Sequence, residues 1–305
     1  MSHQFPAKNT DLSLQSVDEE LPAGARNRHK SRYAYFETVS NGARSIVQTC
    51  RDLHLGRTVC YKSLAPHLST NPLQQKLFLR EARITAMLEH PNTVPVYDIC
   101  RDIRGHYYFT MPQIVGSTFD EMLDSLQSND QIATEWDLDN MVDILIRVCH
   151  ALNYAHNRGV YHCNLTPKHI VSGAYGEVHV LDWGLARLKN VPLEKVQAKL
   201  PDPLYMSPEQ AAGGVIDPRS DIYSVGAILF ELLTLESLDW GSNLQEMLAE
   251  GSATPKETPT QIEAICLRCV AKHPDHRFQS ISELIHALHY WRRQRQDSLQ
   301  LAGSY

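Results

Sequence analysis

Residues 161–185 read YHCNLTPKHIVSGAYGEVHVLDWGL, and the other parts of the chain are interpreted around this stretch. It begins with an apolar approach and a polar turn, and two short apolar runs follow at 170–172 and 178–181. Two glycines lie between these runs, which favours a β-hairpin. Asp182-Trp183-Gly184 comes directly after the hairpin. The pattern therefore predicts a polar loop, a small hairpin and a second polar turn in succession.

The loop and the turn resemble the catalytic loop and the metal-binding turn of the eukaryotic-like protein kinases, written H-R-D-L-K-P-x-N and D-F-G. Here the loop reads HCNLTPKH over 162–169 and the turn reads DWG over 182–184. A subgroup of bacterial (Hanks-type) serine/threonine kinases has tryptophan in this turn, and FLREARI at 78–84 is similar to the same D-W-G subgroup. The resemblance covers about 33–291 and implies an α+β, bilobal protein-kinase fold. The N-lobe would be a small antiparallel β-sheet with one helix, and the C-lobe would be mainly helical.

The chain is predicted to have four segments. Residues 1–31 are polar and lack a sustained period, which is typical of a flexible N-terminal arm. The resemblance implies an N-lobe over 32–115 and a C-lobe over 116–292, and 293–305 form a polar C-terminal tail.

Composition argues against several other classes of protein. A net charge of −6, without a stripe of Lys and Arg residues, gives no sign of a surface that binds nucleic acid. No apolar run approaches the ~20 residues that span a bilayer, and residues 1–15 lack the apolar centre of a secretory signal. Seven scattered cysteines suit a reducing compartment, so a cytoplasmic protein is expected. Cys266 and Cys269 form a lone C-x-x-C, which is predicted to be buried core rather than a zinc site.

Periodicity and turn residues predict the secondary structure of both lobes. Gly159 is expected to end the longest helix as a C-cap glycine. The expected strands of the N-lobe are 33–39, 46–52, 58–64, 94–99 and 107–111. The expected helices are 72–88, 118–126, 138–158, 219–234, 243–250, 260–271 and 280–296.

Two charged residues of the N-lobe match the kinase pattern. VCYK at 59–62 stands where kinases have V-A-I-K, so Lys62 would orient the α- and β-phosphates of ATP. Glu81 stands on the predicted helix where the family has the glutamate that pairs with this lysine. A lysine held by a carboxylate stays charged and aimed, whereas two unrelated residues would be solvated charges. The order of strand, lysine, helix and glutamate favours the ion pair.

The other nucleotide contacts match less well. SNGARSIV at 40–47 stands where kinases have the glycine-rich loop G-x-G-x-x-G-x-V, and only Gly42 of its glycines is present. Serine side chains at the outer glycine positions limit how closely this loop approaches phosphate. The resemblance implies that Gly42 and Val47 cover the nucleotide. It also implies that Met111 lies at the back of the adenine pocket and that Gln113 belongs to the hinge.

Three positions of the catalytic loop lack the residues that phosphotransfer uses. Asn164 replaces the aspartate that accepts the proton, and an amide is not a base at neutral pH. General-base catalysis contributes about 10²–10⁴-fold to a rate, so this change alone predicts a severe loss. Thr166 replaces the lysine that screens the transferring phosphoryl group. His169 replaces the asparagine that binds the second Mg²⁺, and imidazole is a poor ligand for that ion.

The aspartate of the D-W-G turn is kept. Asp182 supplies an anionic oxygen of the kind that Mg²⁺ prefers, so the resemblance implies that a complex of ATP and Mg²⁺ is still bound. Lys168 lies two residues beyond the missing lysine, and its replacement of that lysine is a hypothesis. Asp202 is the acidic residue that would fill the place of the missing base if the account of lost activity were wrong.

The activation segment, 188–204, carries no signal for regulation by phosphorylation. Residues 183–204 include no Ser, Thr or Tyr, and Cys163 replaces the arginine that would receive a phosphate. Pro201-Asp202-Pro203 stands where kinases have Gly-Thr-Pro, so the threonine that helps to orient the base is missing.

Three further matches indicate structural roles. Glu209, in a segment that resembles the A-P-E region, is expected to pair with Arg277 of the late motif HPDHRF. His162 is expected to be a structural histidine beneath the catalytic loop rather than a base. Asp221 is expected to cap the backbone of that loop.

The kept and missing residues together predict a pseudokinase that binds ATP and acts as a protein-binding or signalling module. Its partner or substrate would be a protein that the sequence does not identify. Three alternatives stay open. The first is an active serine/threonine protein kinase, which is a transferase that moves the γ-phosphate of ATP to a protein hydroxyl. The second is another ATP-dependent transfer such as nucleotidylation, and the third is a scaffold that binds no nucleotide.

Overall fold

The computed structural model describes residues 32–128, 137–189, 201–238 and 260–302. The chain forms two compact units that divide between Val115 and Gly116. The predicted arm 1–31, the centre of the activation segment (190–200) and the predicted helix 243–250 lie outside the described residues. Within the described residues, no helix combines the length and the apolarity needed to cross a membrane.

The N-terminal unit is built on a five-stranded antiparallel sheet with the strand order β1-β2-β3-β5-β4. The predicted small antiparallel sheet is thus confirmed. Its strands are β1 (Tyr33–Asn41), β2 (Ser45–Asp52), β3 (Arg57–Leu64), β4 (Asp98–Arg101) and β5 (Tyr107–Pro112).

Strand β4 covers only the end of the predicted strand 94–99 and extends beyond it. Pro95 has no N–H to donate to a ladder, which weakens strand pairing at this point. Val94 is buried and Val96 packs against the core, although neither belongs to the sheet. Tyr97 then donates its N–H to strand β5 at 2.7 Å, and regular pairing starts at the next residue. The alternation of apolar residues here reflects packing rather than a strand.

Helix α1 (Pro72–Met87) packs on one face of this sheet. It begins at Asn71, whose side-chain oxygen accepts the N–H groups of Leu73 and Gln74 at 3.0 and 3.2 Å. Pro72 takes the first helical position, where a missing N–H costs nothing. The apolar side of the helix and the sheet share one core cluster: Leu64, Phe78, Leu79, Ala82, Tyr107 and Phe109. This packing determines the direction in which α1 presents Glu81.

The C-terminal unit is mainly helical, as predicted. Helix α3 packs against α5 and α7, and α5 packs against α6. Its helices are α2 (Phe119–Gln127), α3 (Leu138–Asn157), α4 (Pro208–Ala211), α5 (Pro218–Thr234), α6 (Thr260–Cys269) and α7 (Ile281–Ala302).

Helices α5 and α6 approach each other closely at Gly226. A Cβ at this position would overlap the Cβ of Cys269 and lie 2.9 Å from Val270 Cγ1, so only glycine allows the contact without a shift. Cys266 and Cys269 are fully buried in this interface. The prediction that the lone C-x-x-C is core is therefore confirmed.

Helix α7 continues to Ala302, beyond the predicted end at 296. The Arg295 side chain pairs with Asp139 of helix α3 at 2.9 Å. The polar residues at 293–302 were predicted as a tail because no partner for their charges is visible in the sequence. In the structure they form the last turns of helix α7.

Residues 160–188, which include the loop and the D-W-G turn, form short strands joined by loops. Strands β8 (Ile170–Gly173) and β9 (Val178–Val180) are the predicted hairpin, and β6 (Gly116–Thr118) pairs with β8. Strands β7 (Val160–Tyr161) and β10 (Arg187–Leu188) pair with each other. Before β7, Gly159 has a φ of +71° and donates its N–H to the helix α3 carbonyl of residue 156. The predicted C-cap glycine is thus confirmed.

Candidate functional site

In the N-terminal unit, the strand register gathers several of the predicted nucleotide contacts on one sheet face. Val47 lies opposite Lys62 across β2 and β3, and Lys62 lies opposite Phe109 across β3 and β5. Met111 lies opposite Cys60, two residues before Lys62. Because side chains alternate between faces, Val47, Lys62 and Met111 share one face.

Lys62 and Glu81 form an ion pair between Lys62 Nζ and Glu81 Oε1. Only 13% and 12% of the two side chains are exposed, so water screens the pair less than it would screen a surface pair. The ammonium group also lies 5.8 Å from the centre of the Phe109 ring. The expected ion pair is therefore present, and it joins strand β3 to helix α1.

Gly42 and Gln113 lie at exposed positions of the same unit. Gly42 sits in the turn between β1 and β2 and donates its N–H to the carbonyl of Ser45 at 3.0 Å. Gln113 follows β5 directly. Neither residue belongs to the core cluster shared by the sheet and α1, and their roles in nucleotide binding stay predictions from the resemblance.

In the C-terminal unit, Asp221 holds the backbone of the catalytic loop. Its two carboxylate oxygens accept the N–H groups of His162 and Cys163, each at 2.8 Å. His156 Nε2 lies 2.7 Å from the same carboxylate. Burial raises the pKa of Asp221, but the hydrogen bond from His156 and the loop N–H groups outweigh it, so the pKa lies below its usual value. The predicted cap is confirmed, and His156 is a partner that the sequence did not indicate.

His162 lies fully buried under the loop. Its Nε2 donates to the carbonyl of Leu181 at 3.0 Å, and its ring packs edge-on against Trp183 at 4.5 Å. Burial lowers the pKa of His162 to about 4, so the imidazole is neutral at physiological pH. The expected structural role is confirmed.

Asn164 is 4% exposed at the position of the kinase base. Its Oδ1 accepts the backbone N–H of Asp202 at 3.4 Å. Its Nδ2 has no hydrogen-bond partner among the described residues. The Asp202 carboxylate accepts the N–H of Leu204 at 3.1 Å and so closes its own turn. The buried group at the base position is an amide whose free end is a donor.

Thr166, His169 and Asp182 form one cluster with the backbone of Asn164. His169 Nδ1 lies 2.8 Å from the carbonyl oxygen of Asn164 and 3.2 Å from Thr166 Oγ1. His169 Nε2 lies 3.2 Å from Asp182 Oδ2. Asp182 has a φ of +57°, a left-handed conformation that aspartate tolerates better than most residues. The structure thus brings together four of the predicted site residues, including a His169–Asp182 contact that the sequence analysis did not predict.

Lys168 points away from this cluster toward helix α2. Its side chain is 71% exposed, and its Nζ lies 3.8 Å from Asp120 Oδ2. The hypothesis that Lys168 replaces the missing lysine gains no support from this position.

Glu209 and Arg277 form the expected buried ion pair. The two guanidinium NH groups of Arg277 donate to the two oxygens of Glu209, each at 2.8 Å. Ser220 donates to the same carboxylate at 2.7 Å. Burial raises the pKa of Glu209, but the hydrogen bonds from Arg277 and Ser220 outweigh it and lower the pKa to about 2. This pair anchors the segment that follows the activation segment.

Of the two side chains at the positions where kinases bind Mg²⁺, only one is a ligand that suits this ion. The Asp182 carboxylate is the hard, anionic oxygen that suits Mg²⁺. His169 offers an imidazole at the second position, and nitrogen ligands of this kind suit transition metals instead. Among the described residues, no group of three or more His, Cys, Asp or Glu side chains could hold a metal ion by itself. Any ion here would need further ligands from water or from a bound phosphate.

Comparisons with known proteins identify the family of this chain. The family model described as "Protein kinase domain" matches residues 33–292. Serine/threonine-protein kinase PknD of Chlamydia muridarum is 32% identical over 291 residues, which cover 84% of this chain and 31% of that protein. PknD of Protochlamydia amoebophila is 31% identical over 286 residues, covering 83% and 29%. A probable serine/threonine-protein kinase of Streptomyces coelicolor is 33% identical over 268 residues, covering 83% and 39%. The chain spans about a third of the length of these curated relatives.

A solved structure supports the fold. The crystal structure of the Mycobacterium tuberculosis PknI kinase domain superposes with a TM-score of 0.63 and covers 85% of this chain and 96% of that domain. The two sequences are 22% identical, so the likeness concerns the fold alone. The predicted bilobal protein-kinase fold is confirmed.

Proposed function

Because the chain belongs to the protein kinase family, we propose that it is a pseudokinase, which binds ATP but does not transfer the γ-phosphate. In this proposal the nucleotide-bound protein acts in signalling by presenting a surface to another protein. ATP and Mg²⁺ are the ligands that the protein kinase family generally uses.

The observation that carries the proposal is the amide of Asn164. Phosphotransfer to a hydroxyl needs a carboxylate that accepts the hydroxyl proton. Asn164 is buried, its oxygen accepts the Asp202 N–H at 3.4 Å, and its N–H₂ group has no partner within the part of the chain that the structure describes. A carboxamide does not accept a proton at neutral pH, so the group at this position cannot serve as the base.

The ATP-binding part rests on charges that are kept. The ion pair of Lys62 with Glu81 keeps a cation aimed from β3, as phosphate binding requires. Asp182 retains an oxygen ligand for a divalent ion. The residues that would hold the phosphates and the metal ion are therefore retained, whereas the proton acceptor is replaced.

An active serine/threonine kinase is the second candidate, and two observations favour it. The relatives that match the chain are themselves described as serine/threonine-protein kinases. In addition, Asp202 adjoins Asn164, so a carboxylate is present on the neighbouring segment. Because the Asp202 carboxylate already accepts the Leu204 N–H, the active kinase is the weaker of the two candidates.

A thermal-shift titration tests ATP binding. A ligand at 100-fold its dissociation constant adds roughly 2.7 kcal/mol to stability, so Mg·ATP should raise the melting temperature measurably. Lys62→Ala should reduce the shift, because it removes the cation aimed at the phosphates. Lys272→Ala is the matched control, since Lys272 is exposed on the C-terminal unit. A wild-type chain that shows no shift at millimolar Mg·ATP would favour a scaffold that binds no nucleotide.

A further inference from the structure

We infer that the C-terminal unit binds an arginine-containing segment of a partner protein at an acidic patch beside Asn164. The patch consists of four carboxylates: Asp120, Asp124, Asp202 and Glu231. This inference rests on the proposed function, because it names the chemistry of the protein to which the pseudokinase presents its surface.

Three parts of the C-terminal unit contribute to the acidic patch. Asp120 and Asp124 lie on helix α2, Asp202 lies in the segment before α4, and Glu231 lies near the end of α5. Residues at i and i+4 share one face of a helix, so the two α2 carboxylates lie on the same side of it. The fold therefore gathers negative charge that no local stretch of sequence contains.

The carboxylates of the patch are close enough to affect one another's protonation. Burial raises the pKa of Glu231, and the charges of Asp120, Asp124 and Asp202 raise it further. Burial also raises the pKa of Asp120, and the charges of Asp124 and Asp202 add to this increase. Repulsion between like charges disfavours the charged form of each carboxylate, and a cation bound among them would relieve it.

The described residues supply little positive charge to the patch. Among them, Lys168 is the one cation that forms an ion pair with it: Lys168 Nζ lies 3.8 Å from Asp120 Oδ2, and the lysine side chain is 71% exposed. Tyr205 donates its O–H to Glu231 Oε2 at 2.6 Å, which orients this carboxylate without neutralising it. A single exposed lysine does not balance four carboxylates, so the patch favours a ligand with a positive charge.

Asn164 adds a second requirement for the ligand. Its carboxamide is directed at the patch, because its Oδ1 accepts the backbone N–H of Asp202 at 3.4 Å. The residue is 4% exposed, and its Nδ2 has no hydrogen-bond partner in the part of the chain that the structure describes. A buried donor without an acceptor costs free energy, so this group favours a ligand that brings an acceptor oxygen.

A polypeptide with an arginine meets both requirements. Its backbone carbonyl can accept from Asn164 Nδ2, and its guanidinium can donate to several carboxylate oxygens at once. The planar guanidinium favours arginine over lysine, whose ammonium group is a compact and more strongly hydrated charge. A polyamine would bring positive charge but no acceptor for Asn164.

Fluorescence anisotropy of the full chain with a labelled peptide, in the absence of nucleotide, tests the patch. The peptide carries two adjacent arginines among alanine and glycine residues. The matched peptide has citrulline, an uncharged analogue, in place of each arginine. The wild type should bind the arginine peptide at least ~10-fold more tightly than the citrulline peptide. Raising the ionic strength to about 1 M, where the Debye length is about 3 Å, should remove most of this difference.

Three variants separate the contributions of the patch and of Asn164. The double variant Asp120→Asn, Asp124→Asn should bind the arginine peptide at least ~5-fold more weakly and the citrulline peptide as before. Asn164→Leu should weaken both peptides by a similar factor, because its amide contacts the backbone that the two peptides share. Asp297→Asn removes an exposed carboxylate of α7 and should bind both peptides as the wild type does.

Three results would overturn the inference. Equal affinity of the wild type for the two peptides would reject the patch, and so would an arginine preference that is unchanged in the α2 double variant. Unchanged affinity in Asn164→Leu would reject a polypeptide as the ligand.

Because the titration contains no ATP, its outcome is independent of the thermal-shift test of the proposed function. An arginine preference without any Mg·ATP shift would reject ATP binding alone. A Mg·ATP shift without an arginine preference would reject the acidic patch alone.

Discussion

Arg277 is a fully buried guanidinium, and each of its N–H-bearing nitrogens has an acceptor. Its Nε donates to the carbonyl of Ala271 at 2.8 Å, and its two terminal nitrogens bind Glu209 and the carbonyls of Arg219 and Lys272. A buried ion pair adds little when it replaces apolar packing, but removing one partner leaves an uncompensated charge. At the scale of single residues, this is the pair on which stability of the C-terminal unit should depend most visibly.

Glu209→Gln should lower the free energy of unfolding by about 3 kcal/mol at pH 7, because the Arg277 charge loses its counter-ion in a buried site. The effect should depend on pH. The folded pKa of Glu209, about 2, lies below the ordinary glutamate value. The carboxylate therefore stabilises the fold fully above the unfolded pKa and loses this contribution as the pH falls toward 2. The stability gap between the wild type and Glu209→Gln should narrow by about 1 kcal/mol between pH 6 and pH 3.5.

Denaturant unfolding at several pH values measures this gap. Glu37→Gln is the control, since Glu37 is exposed on β1 and should change stability by no more than about 0.5 kcal/mol. A gap that stays constant over the pH range would mean that the ion pair contributes nothing to folding.

The chemical identity of the site residues could be predicted from the sequence, but their contacts could not. Asn164 at the base position follows from its place in the loop motif, and so does the retention of Asp182. The contact between His169 and Asp182 depends on how the β8–β9 hairpin returns the chain, and no motif specifies that distance. His156 reaches Asp221 across 65 positions of sequence, so only the packing of α3 on α5 reveals it.

Among the secondary-structure elements, α1 is the one that links sequence to site most directly. It carries Glu81, and its start is determined by the Asn71 cap. A side-chain oxygen at this position satisfies N–H groups that have no partner within the helix.

Asn71→Ala should destabilise the N-terminal unit by about 1 kcal/mol, because the N–H groups of Leu73 and Gln74 lose their acceptor. Amide hydrogen exchange at these two residues should accelerate, and the denaturation midpoint should fall. Asn71→Asp is the matched control, because aspartate keeps the accepting oxygen and should leave both measurements close to those of the wild type. Unchanged exchange in Asn71→Ala would show that tertiary packing alone holds the first turn.

Helices were predictable where local residues mark their ends. Pro72 and Gly159 bound α1 and α3 as helix signals predict. The ends of two other elements differ from the prediction. Strand β4 starts later than its apolar pattern suggests, and Pro95, within that pattern, is the local residue that signals this. Helix α7 runs past its predicted end at 296, and its ion pair with α3 joins Arg295 to Asp139 across 156 positions of sequence, which no local window shows.

At the scale of the whole molecule, the two units retain different residues of the set that kinases use for phosphotransfer. The N-terminal unit retains the lysine that kinases use to orient phosphate and the glutamate that pairs with it, and their ion pair is intact. The C-terminal unit retains Asp182 but has Asn164 where the proton acceptor belongs. The chain spans about a third of the length of its curated relatives, and the protein kinase domain model matches residues 33–292 of it.

Transfer of labelled γ-phosphate from ATP to a generic protein substrate, with Mg²⁺ or Mn²⁺ present, tests the central claim most directly. The compared proteins are the wild type, the triple variant Asn164→Asp, Thr166→Lys, His169→Asn, and Lys62→Ala as the blank. We expect the wild type to transfer no more label than Lys62→Ala, and the triple variant to exceed both by at least ~10²-fold, since a general base is worth that much. Transfer by the wild type well above the blank and unchanged in the triple variant would contradict the account.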